Sequence, residues 1–322
     1  MRVLLTGSSG WLGRFLKPRL EEVGHHVIGL DPMPGRPTDI VGSVSDRAFV
    51  DRLFSEHRFE GVIHAGALHK PDIIRYPRQR FIDVNVTGTL NLLEAAVANG
   101  TSSFVFTSTT SLMITQAIRD ETATETVWLD EASGPLTPRN IYGMTKRAAE
   151  EMCRLIHLDQ RLPTIILRTA RFFPEEDDTH RELAGENMKA NEFLNRRLTV
   201  EDCADAHIAA LTKASTIGFG NYIVSAPPPF GREACAALKA DPISVIARCF
   251  PDAPAIFAER GWHLPRSIGR VYDPSALERD LGFRCQTDFG RVLAAMRENA
   301  PLPFAHDDLY VSPNETLARE LD

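Results

Sequence analysis

Short apolar runs alternate with amphipathic stretches along the first 170 residues, and few architectures satisfy that rhythm. RVLLTG (2–7), HHVIGLD (25–31), GVIHAGA (61–67), SFVFTSTT (103–110) and PTIILRT (163–169) are too short for buried helices, and each holds a block of consecutive apolar residues. Such runs suit strands covered on both faces. Between them, residues 11–23, 46–57, 81–100 and 141–159 have helical patterns. Pro18 predicts a kink in the first, Asp46 opens the second, and Asn99-Gly100 closes the third. Strand and helix in strict alternation imply right-handed crossovers and a parallel, doubly wound α/β sheet. After Thr169 the rhythm breaks. Residues 171–186 are charged and loop-like, 199–214 are helical, and GNYIVSA (220–226) reads as one more strand. The Pro-rich remainder holds short helices near 274–281 and 287–299.

The first strand runs into TGSSGWLG, which places Gly7, Gly10 and Gly13 at a strand-to-helix turn. One glycine permits the tight turn, one lets backbone approach a pyrophosphate, and one lets helix pack on strand. The context is that of a dinucleotide-binding (Rossmann) domain. Asp31 ends the second strand, where a carboxylate accepts ribose hydroxyls and repels a 2′-phosphate, so NAD is expected rather than NADP. The expected division is a dinucleotide-binding domain over 1–170, joined by 198–226, and a smaller substrate-binding domain over 171–322.

Tyr142 and Lys146 stand four residues apart on the helix 141–159 and share one face. Chance yields this spacing in about one such chain in ten, so its weight comes from its surroundings. A tyrosine with an ordinary value near 10 is a poor base at neutral pH, and an ammonium beside it favours the phenolate. FTSTT ends a strand, where Ser108, Thr109 or Thr110 can bring a hydroxyl to the same substrate oxygen.

These blocks resemble the extended short-chain dehydrogenase/reductases, in the NAD-dependent epimerase/dehydratase branch. TGSSGWLG is similar to the family's T-G-x-x-G-x-x-G, HAGA (64–67) to its small-residue stretch, and NVTGTLNLLEAA (85–96) to its Asn-led helix. FVFTST, YGMTKRAAE, VEDCADAH and YDPSALERDLGF resemble four later blocks. The resemblance implies an enzyme with Tyr142 as acid/base, Lys146 lowering its pKa and holding the nicotinamide ribose, and Thr109 as the catalytic hydroxyl. It implies cofactor contacts at Gly7, Gly10, Trp11, Leu12, Gly13, Asp31, Ser43, Val44, Ala65, Gly66, Ala67, Asn85 and Ser108. It also implies a homodimer formed through the helices at 81–99 and 141–159.

Several segments depart from the family. Thr110-Ser111 stands where dehydratases carry Asp-Glu, which argues against dehydration. Ser43 replaces a common Asp, FFPEEDD replaces the usual Gly-Pro, and the nucleotide-binding region after it is short. A nucleotide sugar therefore competes with a free sugar or sugar acid as substrate. Thr110, Arg171, Arg197 and Arg270 are the candidate substrate contacts. Loop 112–140 is long enough to lid the site, and 307–322 to form a docking arm. The competing class is a non-catalytic NAD(P)-binding regulatory protein of this fold, which the retained Tyr/Lys pair disfavours.

Composition excludes other classes. The net charge is −7, with no basic run, so no nucleic-acid partner is expected. No apolar run approaches the roughly 20 residues of a membrane span, and MRVLL is too short for a signal peptide. Five scattered cysteines read as reduced thiols of a cytoplasmic protein, and no spacing of His and Cys suits a metal.

Overall fold

The computed structural model describes residues 1–174 and 185–304. Seven parallel strands form the main sheet: β1 (Arg2–Thr6), β2 (His26–Asp31), β3 (Ile40–Val41), β4 (Gly61–His64), β5 (Ser103–Thr109), β7 (Thr164–Thr169) and β8 (Phe219–Val224). Their order is β3-β2-β1-β4-β5-β7-β8. The order reverses at β1, so β1 and β4 flank the crevice where doubly wound sheets bind ligands. Thr6 pairs with His64, and Thr109 with Thr169, which brings the strand C-termini to one edge.

Helices α1 (Trp11–Glu22), α2 (Arg47–His57), α4 (Gly88–Asn99), α6 (Ile141–Gln160) and α8 (Val200–Ile217) cover the sheet. Two apolar clusters fill the layers. Leu16, Leu20, Ile165 and Leu211 lie on one face, and Phe54, Leu92, Phe104 and Cys153 on the other. Helix α1 continues through Pro18 without a break. Asp46 caps α2 by accepting from the Phe49 amide, and Gly100 closes α4 in the left-handed region. The stretch expected as one helix over 81–100 is compound. A short α3 (Arg78–Phe81) leads into a π-helical turn over Ile82–Thr87 and then into α4.

Loop 112–140 is not a free lid. It contains α5 (Gln116–Arg119) and β6 (Val127–Leu129), and Leu112, Met113 and Ile118 are buried in the core beneath the sheet. Strand β6 pairs with β9 (Arg270–Tyr272) in a second, two-stranded sheet. Around it α7 (Gly185–Glu192), α9 (Cys235–Ala240), α10 (Pro242–Cys249), α11 (Ala253–Glu259) and α13 (Phe289–Arg297) enclose a third core containing Phe193, Ile246, Phe257 and Phe289. Helix α12 (Ser275–Leu281) instead packs on α8 and β8, with Leu277 and Leu281 in the main core. Asp202 of α8 holds it there through the amides of Gln286 and Thr287. Among the described residues no helix is long and apolar enough to cross a membrane. The segment 307–322 lies outside the described residues.

Candidate active site

At the first turn, Gly7 adopts φ +75° and donates its amide to the Leu30 carbonyl. A Cβ on Gly7 would meet the backbone of Gly66 at 2.7 Å, and one on Gly13 would stand 2.3 Å from the Gly7 carbonyl. Turn, helix and the β4 edge are thus closed on one another with no room for a side chain. Gly10 caps α1 without a side chain over the helix N-terminus, which leaves that positive end bare for a phosphate. Asp31 is buried at the end of β2 and accepts from the Ser9 and Met33 amides. Burial raises its pKa, and these two bonds oppose the rise.

The crevice floor is cross-linked from β1 to the π-helical turn. Gly66 N–H donates to Thr6 Oγ1, which lies 2.7 Å from His64 Nδ1. His64 Nε2 lies 3.0 Å from Thr89 Oγ1, which donates to the Asn85 carbonyl. The chain has one consistent direction: His64 accepts at Nδ1 and donates at Nε2. Burial pushes this ring down to about 3, so it stays neutral. His64 is therefore a satisfied structural histidine. Asn85 accepts from the Leu68 amide and donates to the Leu68 carbonyl and Thr145 Oγ1. It ties the loop after β4 to α6 from within the π turn, an insertion that recurs at functional sites.

Asn140 starts α6 by accepting from the Gly143 amide, and this fixes where Tyr142 emerges. Tyr142 lies against Leu68 and Phe81. Burial pushes its phenol up to about 12, and a hydrogen bond with Thr109 acts against that rise. Lys146 is 2% exposed. It donates to the Thr107 carbonyl at 2.7 Å and stands 4.6 Å from the Phe106 ring centre. Burial pushes its ammonium down to about 7.

The other expected contacts divide by position. Ala65, Gly66 and Ala67 are half-buried beside the glycine turn. Leu12 is a core residue of α1. Trp11 donates its indole N–H to the Phe172 carbonyl. Ser43 hydrogen-bonds Ser45, and the Val44 carbonyl accepts from Asn91. Three hydroxyl and guanidinium assignments need correction. Ser108 faces α6, where its hydroxyl donates to Glu150 inside the protein. Thr110 is buried and donates to the Thr169 carbonyl. Arg197 is 1% exposed and pairs with Glu192 and the Phe173 carbonyl, so it braces the chain after β7 from inside. Arg171 sits at the end of β7 with its backbone bridged to Arg197. Arg270, on β9, directs its Nε to the Tyr272 hydroxyl.

Sequence reasoning missed the wall opposite Tyr142. The His69 ring lies 5.7 Å from that of Tyr142 and 5.2 Å from that of Phe173, which stacks on Phe172. Asp72 accepts from the His69 amide and disfavours the Tyr142 phenolate. The available signal was Phe172-Phe173, a departure from the family placed where substrate contacts begin.

A family described as "NAD dependent epimerase/dehydratase family" matches residues 3–224, which include the glycine turn, Asp31, Asn85, Thr109, Tyr142 and Lys146. The chain belongs to the NAD-dependent epimerase/dehydratase family. It is 31% identical over 186 residues to UDP-glucose 4-epimerase 4 of Oryza sativa subsp. japonica, covering 52% of this chain and 48% of that protein. It is 30% identical over 174 residues to UDP-glucose 4-epimerase of Rhizobium meliloti, covering 52% and 50%. The matches thus span about half the length of these relatives. Among solved structures, a Thermus thermophilus UDP-glucose 4-epimerase complexed with NAD superposes with TM-score 0.62 at 22% identity, covering 92% of this chain and 99% of that one. A Thermotoga maritima UDP-glucose 4-epimerase with UDP-glucose gives 0.64 at 20%, covering 93% and 99%. The glycine cradle, the bare α1 N-terminus and Asp31 fit the NAD that names the family.

Proposed function

We propose that this protein is an NAD-dependent epimerase or dehydrogenase acting on a secondary alcohol of a sugar or sugar-derived substrate. The observation that carries the reading is that the end of β5 holds both members of the pair, Thr109 by a hydrogen bond with Tyr142 and the Thr107 carbonyl by one from Lys146, and the closed glycine turn after β1 supports it. Bound oxidised NAD supplies the hydride acceptor. Tyr142 takes the substrate hydroxyl proton at its phenolate oxygen, and Thr109 holds that oxygen in place by its hydroxyl. Lys146 stabilises the phenolate by its charge and would hold the nicotinamide ribose. Asp31 accepts the adenosine ribose hydroxyls, and Asn85 keeps α6 in register with the crevice.

The named relatives are UDP-glucose 4-epimerases, which supports a sugar epimerase. Thr110-Ser111 in place of an acid pair speaks against a dehydratase. A homodimer is part of the proposal. Met144, Leu155 and Leu158 are exposed on one face of α6, with Glu151 between Met144 and Leu155, and Ile82 is exposed on the π turn. The smaller unit around β6 and β9, with Arg270 on β9, Arg171 and Phe173 beyond the end of β7, and His69 against Phe173, is the proposed substrate-binding part.

The test is NADH formation and product stereochemistry over a panel of nucleotide sugars, free sugars and sugar acids. Tyr142→Phe is expected to lower turnover by about 10²–10⁴-fold while NAD binding persists. Undiminished turnover in that variant would sink the reading.

A further inference from the structure

Three consecutive residues of β5 meet three consecutive turns of α6. Thr109 bonds Tyr142, the Thr107 carbonyl holds Lys146, and Ser108 Oγ donates to Glu150 at 2.6 Å. Glu150 is one helical turn beyond Lys146 and is 6% exposed. Its two oxygens accept a bidentate pair from Arg168 of β7 at 3.0 and 2.7 Å. No catalytic role explains why a carboxylate, a guanidinium and a hydroxyl are buried together behind the reacting pair. An ion pair removed from water is weak evidence for stability, since hydrophobic residues of similar volume often serve as well.

The groups around Lys146 give the network a purpose. On α6 these are Tyr142, Cys153 and Glu150. His64 at the end of β4, and His69 after it, are affected by the Lys146 charge, and Asp72 acts on His69 and Tyr142. From β5 Lys146 meets only a carbonyl and the Phe106 ring face. Burial pushes the Cys153 thiol far up, so it stays neutral, and His64 and His69 are pushed down to about 3 and about 4. Burial dominates Lys146; Cys153 and then Glu150 act against it by favouring the charged form, and of these two Glu150 is the carboxylate. Arg168, on β7, shares the same carboxylate.

We propose that Glu150, held by Ser108 and Arg168, is a positioning residue that keeps Lys146 protonated and fixes it against β5 while Tyr142 is a phenolate. The proposal rests on the reading of Tyr142 and Lys146 as the catalytic pair, and its test does not require the substrate. Protein labelled with ¹³C at lysine Cε is titrated by NMR with NAD bound, with Lys146 assigned by Lys146→Met. The Tyr142 phenolate is titrated in parallel by ultraviolet difference against Tyr142→Phe. Glu150→Gln is the direct variant. It leaves Arg168 buried without its carboxylate, so E150Q/R168M, which removes both charges, is measured beside it.

In the folded double variant the proton affinity of Lys146 is expected to fall about tenfold or more, and Tyr142 to ionise at higher pH. On an active substrate the pH window of kcat would narrow from both sides, with KM little changed. An unchanged Lys146 midpoint in folded E150Q/R168M overturns the proposal, because a purely structural pair would leave that midpoint alone. Failure of the catalytic reading is seen separately, as retained turnover in Tyr142→Phe.

Discussion

Replacing Lys146 by methionine is expected to make the protein more stable and inactive at once. An ordinary lysine holds its proton to about pH 10.5, and burial lowers this one to about 7. The folded state thus binds the proton less tightly than the unfolded chain. A base depressed on folding destabilises fully below its folded pKa, and the penalty vanishes as pH rises from about 7 to about 10.5. The difference of about 3.5 units corresponds to about 5 kcal/mol below pH 7, at 1.36 kcal/mol per unit. Methionine has similar length and no charge, so it removes this penalty. It also loses the bond to the Thr107 carbonyl, at 2.7 Å, and leaves that acceptor unsatisfied, which costs about 1–3 kcal/mol. A net gain of about 2–4 kcal/mol remains near neutral pH. Urea unfolding of cofactor-free wild type and Lys146→Met at pH 6, 7.5 and 9.5 measures it. The advantage of the variant should be largest at pH 6 and shrink at pH 9.5, while turnover at neutral pH falls by about 10–1,000-fold. A variant less stable than wild type at pH 6, or an advantage independent of pH, would refute the reasoning.

Gly13→Ala would place a Cβ 2.3 Å from the Gly7 carbonyl, so the turn must open. A loss of about 1–3 kcal/mol in urea unfolding is expected, with weaker NAD retention by equilibrium dialysis. Asp31→Ala should weaken NAD by about 10- to 100-fold through lost charged hydrogen bonds, and narrow its advantage over NADP. Titration of both cofactors by fluorescence quenching reads this out. Leu155→Glu with Leu158→Glu puts two charges on the exposed face of α6 and should convert a dimer to a monomer in light scattering; an unchanged mass removes that face from the interface.

Legibility in the sequence followed how local the cause of each feature is. The strand runs, the glycine turn and the Tyr-x-x-x-Lys face depend on residues a few positions apart, and all are found where the patterns place them. The helix through Pro18 is a tertiary override, because buried Leu16 and Leu20 hold α1 on the sheet across the proline. The π turn could not be read, since it arises where Asn85 must reach Leu68 and Thr145 together. Strands β6 and β9 are three residues each and pair across about 140 positions, so neither has a local signature. Ser108 reads as a ligand contact from its place near a strand end, and Arg197 from its place before VEDCADAH, whereas Glu150 and Glu192 take these side chains inside the protein.

The buried pair also raises what the chemistry must supply. From an ordinary tyrosine near 10, reaching neutral pH takes about 4 kcal/mol; from about 12 it takes about 7 kcal/mol. One ammonium nearby supplies about 1–3 units of pKa, so Lys146 alone leaves a shortfall. The positive charge of oxidised NAD and the Thr109 hydrogen bond act in the required direction on Tyr142. Yet any cation placed near Tyr142 also disfavours the charge on Lys146, already at about 7. Phenolate and ammonium must therefore be established together, each raising the occupancy of the other, as coupled titrations demand. A site with Lys146 neutral would be a binding site for the nucleotide without being a base. Burial moves Lys146 towards the neutral condition, and on the proposal above the carboxylate one turn along α6 opposes it, so Glu150 bears on activity without facing the crevice.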